Sequence, residues 1–175
     1  MTFKLLSSIA IVSSLVAIAG WQSNSDQPSP TRSKALHGFA GNWAGTVSWK
    51  QAETNRRQSV RILVRITVRN DQGLEMTATY PDEPKRPADK AFWWATQRGN
   101  ILIKEGSEMQ SWEADGFRAF ERKEAASFVV KRQVGKEWTR QTISVQSNKI
   151  MVMIDRGTNL DNLPAQNRIT LERVK

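Results

Sequence analysis

The stretch Val60-Arg61-Ile62-Leu63-Val64-Arg65-Ile66-Thr67-Val68 alternates without a break between β-branched apolar residues and a second set made of Arg61, Leu63, Arg65 and Thr67. A period of two puts every second side chain on one face of an extended strand. Val60, Ile62, Val64, Ile66 and Val68 are therefore expected to face a core, and the arginines water. The same pattern runs more weakly through the chain from about residue 41 onward. It predicts an all-β, antiparallel architecture that buries one face of its sheet.

On either side of this stretch the strand pattern continues. Gly41-Asn42-Trp43 leads into a strand over residues 46–51, and Asn70-Asp71-Gln72-Gly73 is a turn that joins the long strand to residues 74–80. In that second arm Leu74, Met76, Ala78 and Tyr80 share a face. Residues 81–90 hold Pro81, Pro84 and Pro87 among charged side chains. No strand ladder tolerates that composition, and the segment is long for a hairpin connection, so it is expected to be an exposed rim or lid. Further strands are expected over residues 91–97, 101–104, 109–114, 117–122, 127–134, 137–146, 150–155 and 168–174, with a second long loop over residues 156–167. No segment carries a helical period. Short, regular turns between such strands predict a meandering antiparallel β-barrel of about 8–10 strands, in which closure removes the exposed edges.

The amino terminus has a different character. Lys4 precedes an apolar run over residues 5–19, and Ala17-Ile18-Ala19 supplies small residues before Gly20. This reads as a signal peptide over residues 1–19, cleaved after Ala19, and it places the product in the periplasm or outside the cell. Residues 20–36 are polar and carry prolines, and are expected to be a disordered linker to a barrel domain over residues 37–175. The chain has no cysteine, which excludes disulfides, thiol catalysis and cysteine-ligated metals. His37 is the only histidine and is read as a solvated linker residue, so neither a metal site nor another cofactor is expected. The formal charge is +9. Such a surplus suits acidic partners, among them an acidic envelope component, but the basic residues are scattered as solubilising charges are. With an export signal, nucleic acid is not expected as a partner.

Gly41-Asn42-Trp43 at the head of the first strand resembles the Gly-x-Trp signature of the calycin superfamily, which includes lipocalins, fatty-acid-binding proteins and avidins. The resemblance implies that Trp43 sits at the closed end of a barrel beneath a basic side chain from the last strand, for which Arg173 is the candidate and Arg168 the second. A guanidinium over an indole contributes about 0.5–2 kcal/mol, depending on desolvation. The opening is also similar to that of small secreted bacterial protease inhibitors. The chain departs from lipocalins in having no Thr-Asp-Tyr type motif and no helix before the last strand.

The remaining clue is aromatic. In Phe92-Trp93-Trp94 the central ring must point opposite to its neighbours, so at least one ring faces away from the core. Tyr80, Trp93, Trp94 and Trp112 are the candidate ligand-binding residues, with Trp93 or Trp94 at the mouth beside residues 81–90. Trp49 and Trp138 pose the same choice, and Met76, Met109, Met151 and Met153 offer a pliable apolar lining. Residues 150–154 are apolar on both faces. The carboxylates Asp82 with Glu83, Glu105 with Glu108, and Asp155 with Asp161 read as turn and solubilising charges, so no catalytic residues are assigned. Two functional readings stand side by side. One is an exported, non-catalytic protein that binds a small apolar or amphipathic ligand inside the barrel. The other is a filled barrel whose surface binds an acidic polymer, an envelope component or a secreted enzyme.

Overall fold

The computed structural model describes residues 27–51, 54–69, 73–160 and 165–174. The expected signal peptide, residues 20–26 of the expected linker, the turn residues 70–72 and residues 161–164 of the second long loop lie outside the described residues. Ten strands run in chain order: β1 (Gly41–Lys50), β2 (Arg57–Arg69), β3 (Gly73–Thr79), β4 (Asp89–Ala95), β5 (Ile101–Glu105), β6 (Glu108–Asp115), β7 (Ser127–Val134), β8 (Glu137–Gln146), β9 (Lys149–Gly157) and β10 (Ala165–Arg173). Each pairs antiparallel with the next, and β1 pairs with both β2 and β10, so the sheet closes into a barrel. Closure leaves no free edge strand. The shortest seam lies between β6 and β7, where the register covers Glu113 to Asp115 against Lys131 to Val129.

The long alternating strand behaves as its period requires. Ile62, Val64 and Ile66 are buried while Arg61, Leu63 and Arg65 are exposed. Val68, expected inside, is 38% exposed because it lies at the end of β2, beyond the packed interior. Since Arg65 stands on the outer face, Arg65→Glu should change stability by no more than about 0.5 kcal/mol in urea unfolding. A large loss would reverse the assignment of faces.

One end of the barrel is plugged. α1 (Pro30–Ser33) leads into a 3-10 helix (Lys34–Phe39) that lies across this end, with Leu36 and Phe39 buried. The linker expectation therefore does not hold for residues 27–36. The Ser33 hydroxyl accepts from the Ala95 N–H, the Ser29 N–H donates to the Ala95 carbonyl, and Arg32 bridges the Gln97 carbonyl and Glu121. These bonds fasten the segment to the end of β4, which polarity of composition does not reveal. His37 is likewise not a solvated residue: its Nε2 is buried within the plug.

The expected strand over residues 117–122 is instead α2 (Phe117–Glu121), entered through Gly116 with φ of 77°. Phe117 and Phe120, three apart, fall on one side of a helical turn. There they pack against each other and against Phe128, whose ring centre is 5.2 Å from Phe117 and 4.9 Å from Phe120. A strand would have sent the two rings to opposite faces.

The first and last strands meet at the plugged end. Trp43 is 1% exposed, its indole N–H donates to the Phe39 carbonyl at 2.8 Å, and the Arg173 guanidinium lies 4.3 Å from its ring. Arg173 also donates to the Ala40 and Gly38 carbonyls. The stack implied by Gly41, Trp43 and Arg173 is present. Gly41 has φ of 142°, and a Cβ there would collide with the Arg173 guanidinium, so the glycine makes room for the arginine.

Candidate functional site

Away from the plug the barrel is hollow. The cavity encloses about 630 Å³, with Phe39 at its floor. Its walls are the inward sets of the strands: Val47 of β1, Ile62 and Val64 of β2, Ile143 of β8, Val152 of β9 and Ile169 of β10. Residues 150–154 resolve into Ile150, Val152 and Ile154 on this wall, with Met151 and Met153 on the alternate, outer face. The expected methionine lining reduces to Met76, since Met109 is 51% exposed.

The mouth is polar. Tyr80, Arg86, Asp89, Lys90, Glu105 and Gly106 line it, and the segment after β3 folds over it as a clasp. The Tyr80 hydroxyl donates to Asp89 at 2.6 Å, and the Arg86 guanidinium sits 3.5 Å from the Tyr80 ring centre. Arg86 also reaches Glu83 at 3.3 Å and Asp89 at 3.0 Å. Burial, followed by the bond to Asp89, holds the Tyr80 phenol above its usual range, so it stays a neutral donor. Arg61 of β2 binds Asp82 through its side chain and its backbone N–H, tying the same segment to the outer wall. The expected rim over residues 81–90 is thus an ordered one with few free polar groups.

Glu105 corrects the expectation of a solubilising turn charge. It closes β5, and because Ile101 and Ile103 face inward, the same period turns Glu105 into the cavity. Burial raises its pKa from 4.5, and Asp89 and Glu108 push the same way against the opposing pull of Arg132. A carboxyl raised on folding binds its proton more tightly in the native state, so its contribution to stability falls as pH rises from 4.5 through the raised value. Glu105→Gln should then increase Tm at pH 7.5 by about 1–3 °C, the small size reflecting solvent screening, and lose that advantage near pH 4. A lowered Tm at pH 7.5 would mean that the carboxylate is stabilised by its neighbours.

The aromatic candidates divide. Tyr80 and Trp93 line the cavity. Trp93 lies toward the plugged end, in register with Leu74 and Ile103, and not at the mouth. Trp94 points outward, stacks on Phe92 at 5.9 Å and covers Gly73, so it cannot reach a ligand inside. Trp112 is 4% exposed and belongs to the packed core opposite Ile101. Alternation across Phe92-Trp93-Trp94 determines which ring enters, once the sheet has a defined interior. Arg86 and Glu105 were missed as lining residues. Only for Glu105 does the sequence hold a signal, the continuation of the Ile101 and Ile103 period.

Among the described residues, no group of histidine, aspartate and glutamate side chains could hold a metal ion, and no helix is long and apolar enough to cross a membrane.

Comparison with known proteins gives a likeness of fold. No protein-family model matches the chain, and no curated protein matches it. Among solved structures, the chain is similar to a protein of unknown function from the DUF3598 family of Nostoc punctiforme, at 12% identity and a TM-score of 0.52. That match covers 90% of this chain and 54% of the other, so this chain spans about half the length of that neighbour. It is also similar to Rv2717c from M. tuberculosis, at 12% identity and a TM-score of 0.50, covering 85% of this chain and 100% of the other.

Proposed function

We propose that this protein is an exported, non-catalytic carrier that holds one small apolar or amphipathic ligand inside a barrel of calycin type. The observation that carries the reading is the cavity of about 630 Å³ with its aliphatic walls. Ligand pockets fall in the range of about 300–1,000 Å³ and combine apolar walls with a few polar groups, as this one does. The ring stack of Arg173 on Trp43 and the strand meander support the calycin type, and the apolar run of residues 5–19 supports export. A surface-binding or inhibitor-like module with a filled barrel fits less well, because it has no use for an aliphatic void. A non-catalytic role is supported by the carboxylates, of which Asp82, Glu83 and Asp155 are taken up by Arg61, Arg86 and Arg140.

The test is titration with pyrene, an apolar probe without polar groups, read by energy transfer from tryptophan. Saturable transfer at one pyrene per chain is expected. A folded protein with no saturable transfer overturns the carrier. Native mass spectrometry of protein from its own host then gives the mass of a resident ligand and reports whether the chain begins at Gly20.

A further inference from the structure

Closure of the barrel gathers cations that lie scattered along the chain. On the outside of β10, β1 and β2, Ser48 stands opposite Arg168 on one side and Ser59 on the other, and Lys50 stands opposite Arg57. Opposite residues share a face, and alternation with Val47 and Ile169, which line the cavity, turns this set to solvent. The Arg57 guanidinium donates to the Ser48 hydroxyl at 3.0 Å, so it leans across β1 toward Arg168. Lys50, Arg56, Arg57 and Arg168 are exposed, and none of them has an ion pair among the described residues. Other exterior cations are paired across strands: Arg69 with Glu75, Lys131 with Glu113 and Asp115, and Arg140 with Asp155. Here β1 and β2 hold no carboxylate at all. The carboxylate of β10, Glu172, stands toward the plugged end, opposite Ala44. Like charges directly opposite each other, as Lys50 and Arg57 are, cost stability, and an anionic partner removes that cost.

The cluster has a fixed place relative to the cavity. β1 leaves the plugged end at Trp43 and finishes at Lys50, so Lys50, Arg56 and Arg57 stand at the mouth end, beside the clasp. The nearest acid of the clasp, Asp82, is already taken up by Arg61. We propose that this corner of the barrel docks on the anionic headgroups of a lipid bilayer and holds the mouth against it. The choice of a bilayer over a soluble acidic polymer rests on the carrier reading, because an apolar cargo partitions into lipid and must be collected there. The shape of the cluster agrees. It spans three strands, roughly 10 Å at about 4.8 Å per strand, and so forms a patch that suits an array of headgroups better than a single line of charge would.

The experiment is flotation of protein from its own host with vesicles of phosphatidylcholine, alone or mixed with phosphatidylglycerol. Binding to the mixed vesicles is expected, with none to phosphatidylcholine alone. It should be lost as salt rises from about 0.01 M to about 1 M, where the screening length shortens from about 30 Å to about 3 Å. Arg57→Gln with Arg168→Gln should weaken partitioning about 10–30-fold. Arg98→Gln with Arg118→Gln removes the same charge from exposed positions at the plugged end, and should weaken it less than about threefold. An unchanged Tm certifies the fold of each variant. Equal loss in the two pairs, or equal binding to both kinds of vesicle, overturns the docking face. Capture by dextran sulfate with no binding to the mixed vesicles assigns the cluster to a soluble polymer and overturns it too. Pyrene transfer, read on the same samples, separates the two claims. Its persistence when vesicle binding fails leaves the carrier standing, and its absence in a protein that binds vesicles overturns the carrier alone.

Discussion

Trp43→Ala should lower unfolding free energy by about 3–5 kcal/mol, the range for deleting a large aromatic from a packed interior. Three losses act together at this position. The ring is 1% exposed, so its whole apolar surface is removed from the core. The Phe39 carbonyl loses the indole N–H that it accepts at 2.8 Å, and a buried acceptor without a partner is costly. Arg173 loses the ring beneath its guanidinium. Because Phe39 belongs to the 3-10 helix and Arg173 to β10, the damage reaches both the plug and the closing seam of the barrel. Urea unfolding followed by far-UV circular dichroism measures it. A change below about 1 kcal/mol would mean that neither seam nor plug depends on this side chain.

Filling the cavity should have the second large effect. Ala78 on β3 and Ala91 on β4 both line it, and Ala78→Trp with Ala91→Trp would place two indoles where a ligand would sit. Pyrene affinity should fall roughly 100-fold, equivalent to about 2.8 kcal/mol. Stability should stay within about 1 kcal/mol of the parent, because the usual overpacking cost arises when a core is already full. Here about 630 Å³ stands open. Pyrene binding that survives the double substitution, in a protein that still unfolds cooperatively, would place the apolar site outside the barrel.

The arrangement of strands was open to reading because it depends on neighbours in sequence. Ile62, Val64 and Ile66 face inward for the same reason that Arg61 and Arg65 face out: the pleat alternates. The pairing of Trp43 with Arg173 was implied by the Gly-x-Trp resemblance, which left Arg168 as a second candidate, and the fold puts Arg173 over the ring. Other features were hidden where local composition and distant packing disagree. Residues 30–36 look like a tether until Leu36 is seen buried beneath the barrel end. Residues 117–121 look like one more strand until Phe128 gathers Phe117 and Phe120 on one side. Gly116 follows the end of β6 and opens α2, and a glycine after a strand does not specify whether a strand or a helix comes next.

The all-β antiparallel class and the faces of the strands were legible in the chain before any folding, since each depends on periods a few residues long. Whether the barrel is hollow was not. An inward Val152 or Ile169 has the same neighbours in sequence whether it packs against another side chain or lines a void. The void is the space left when ten strands close at a given diameter and the plug occupies one end, and no single strand carries that sum.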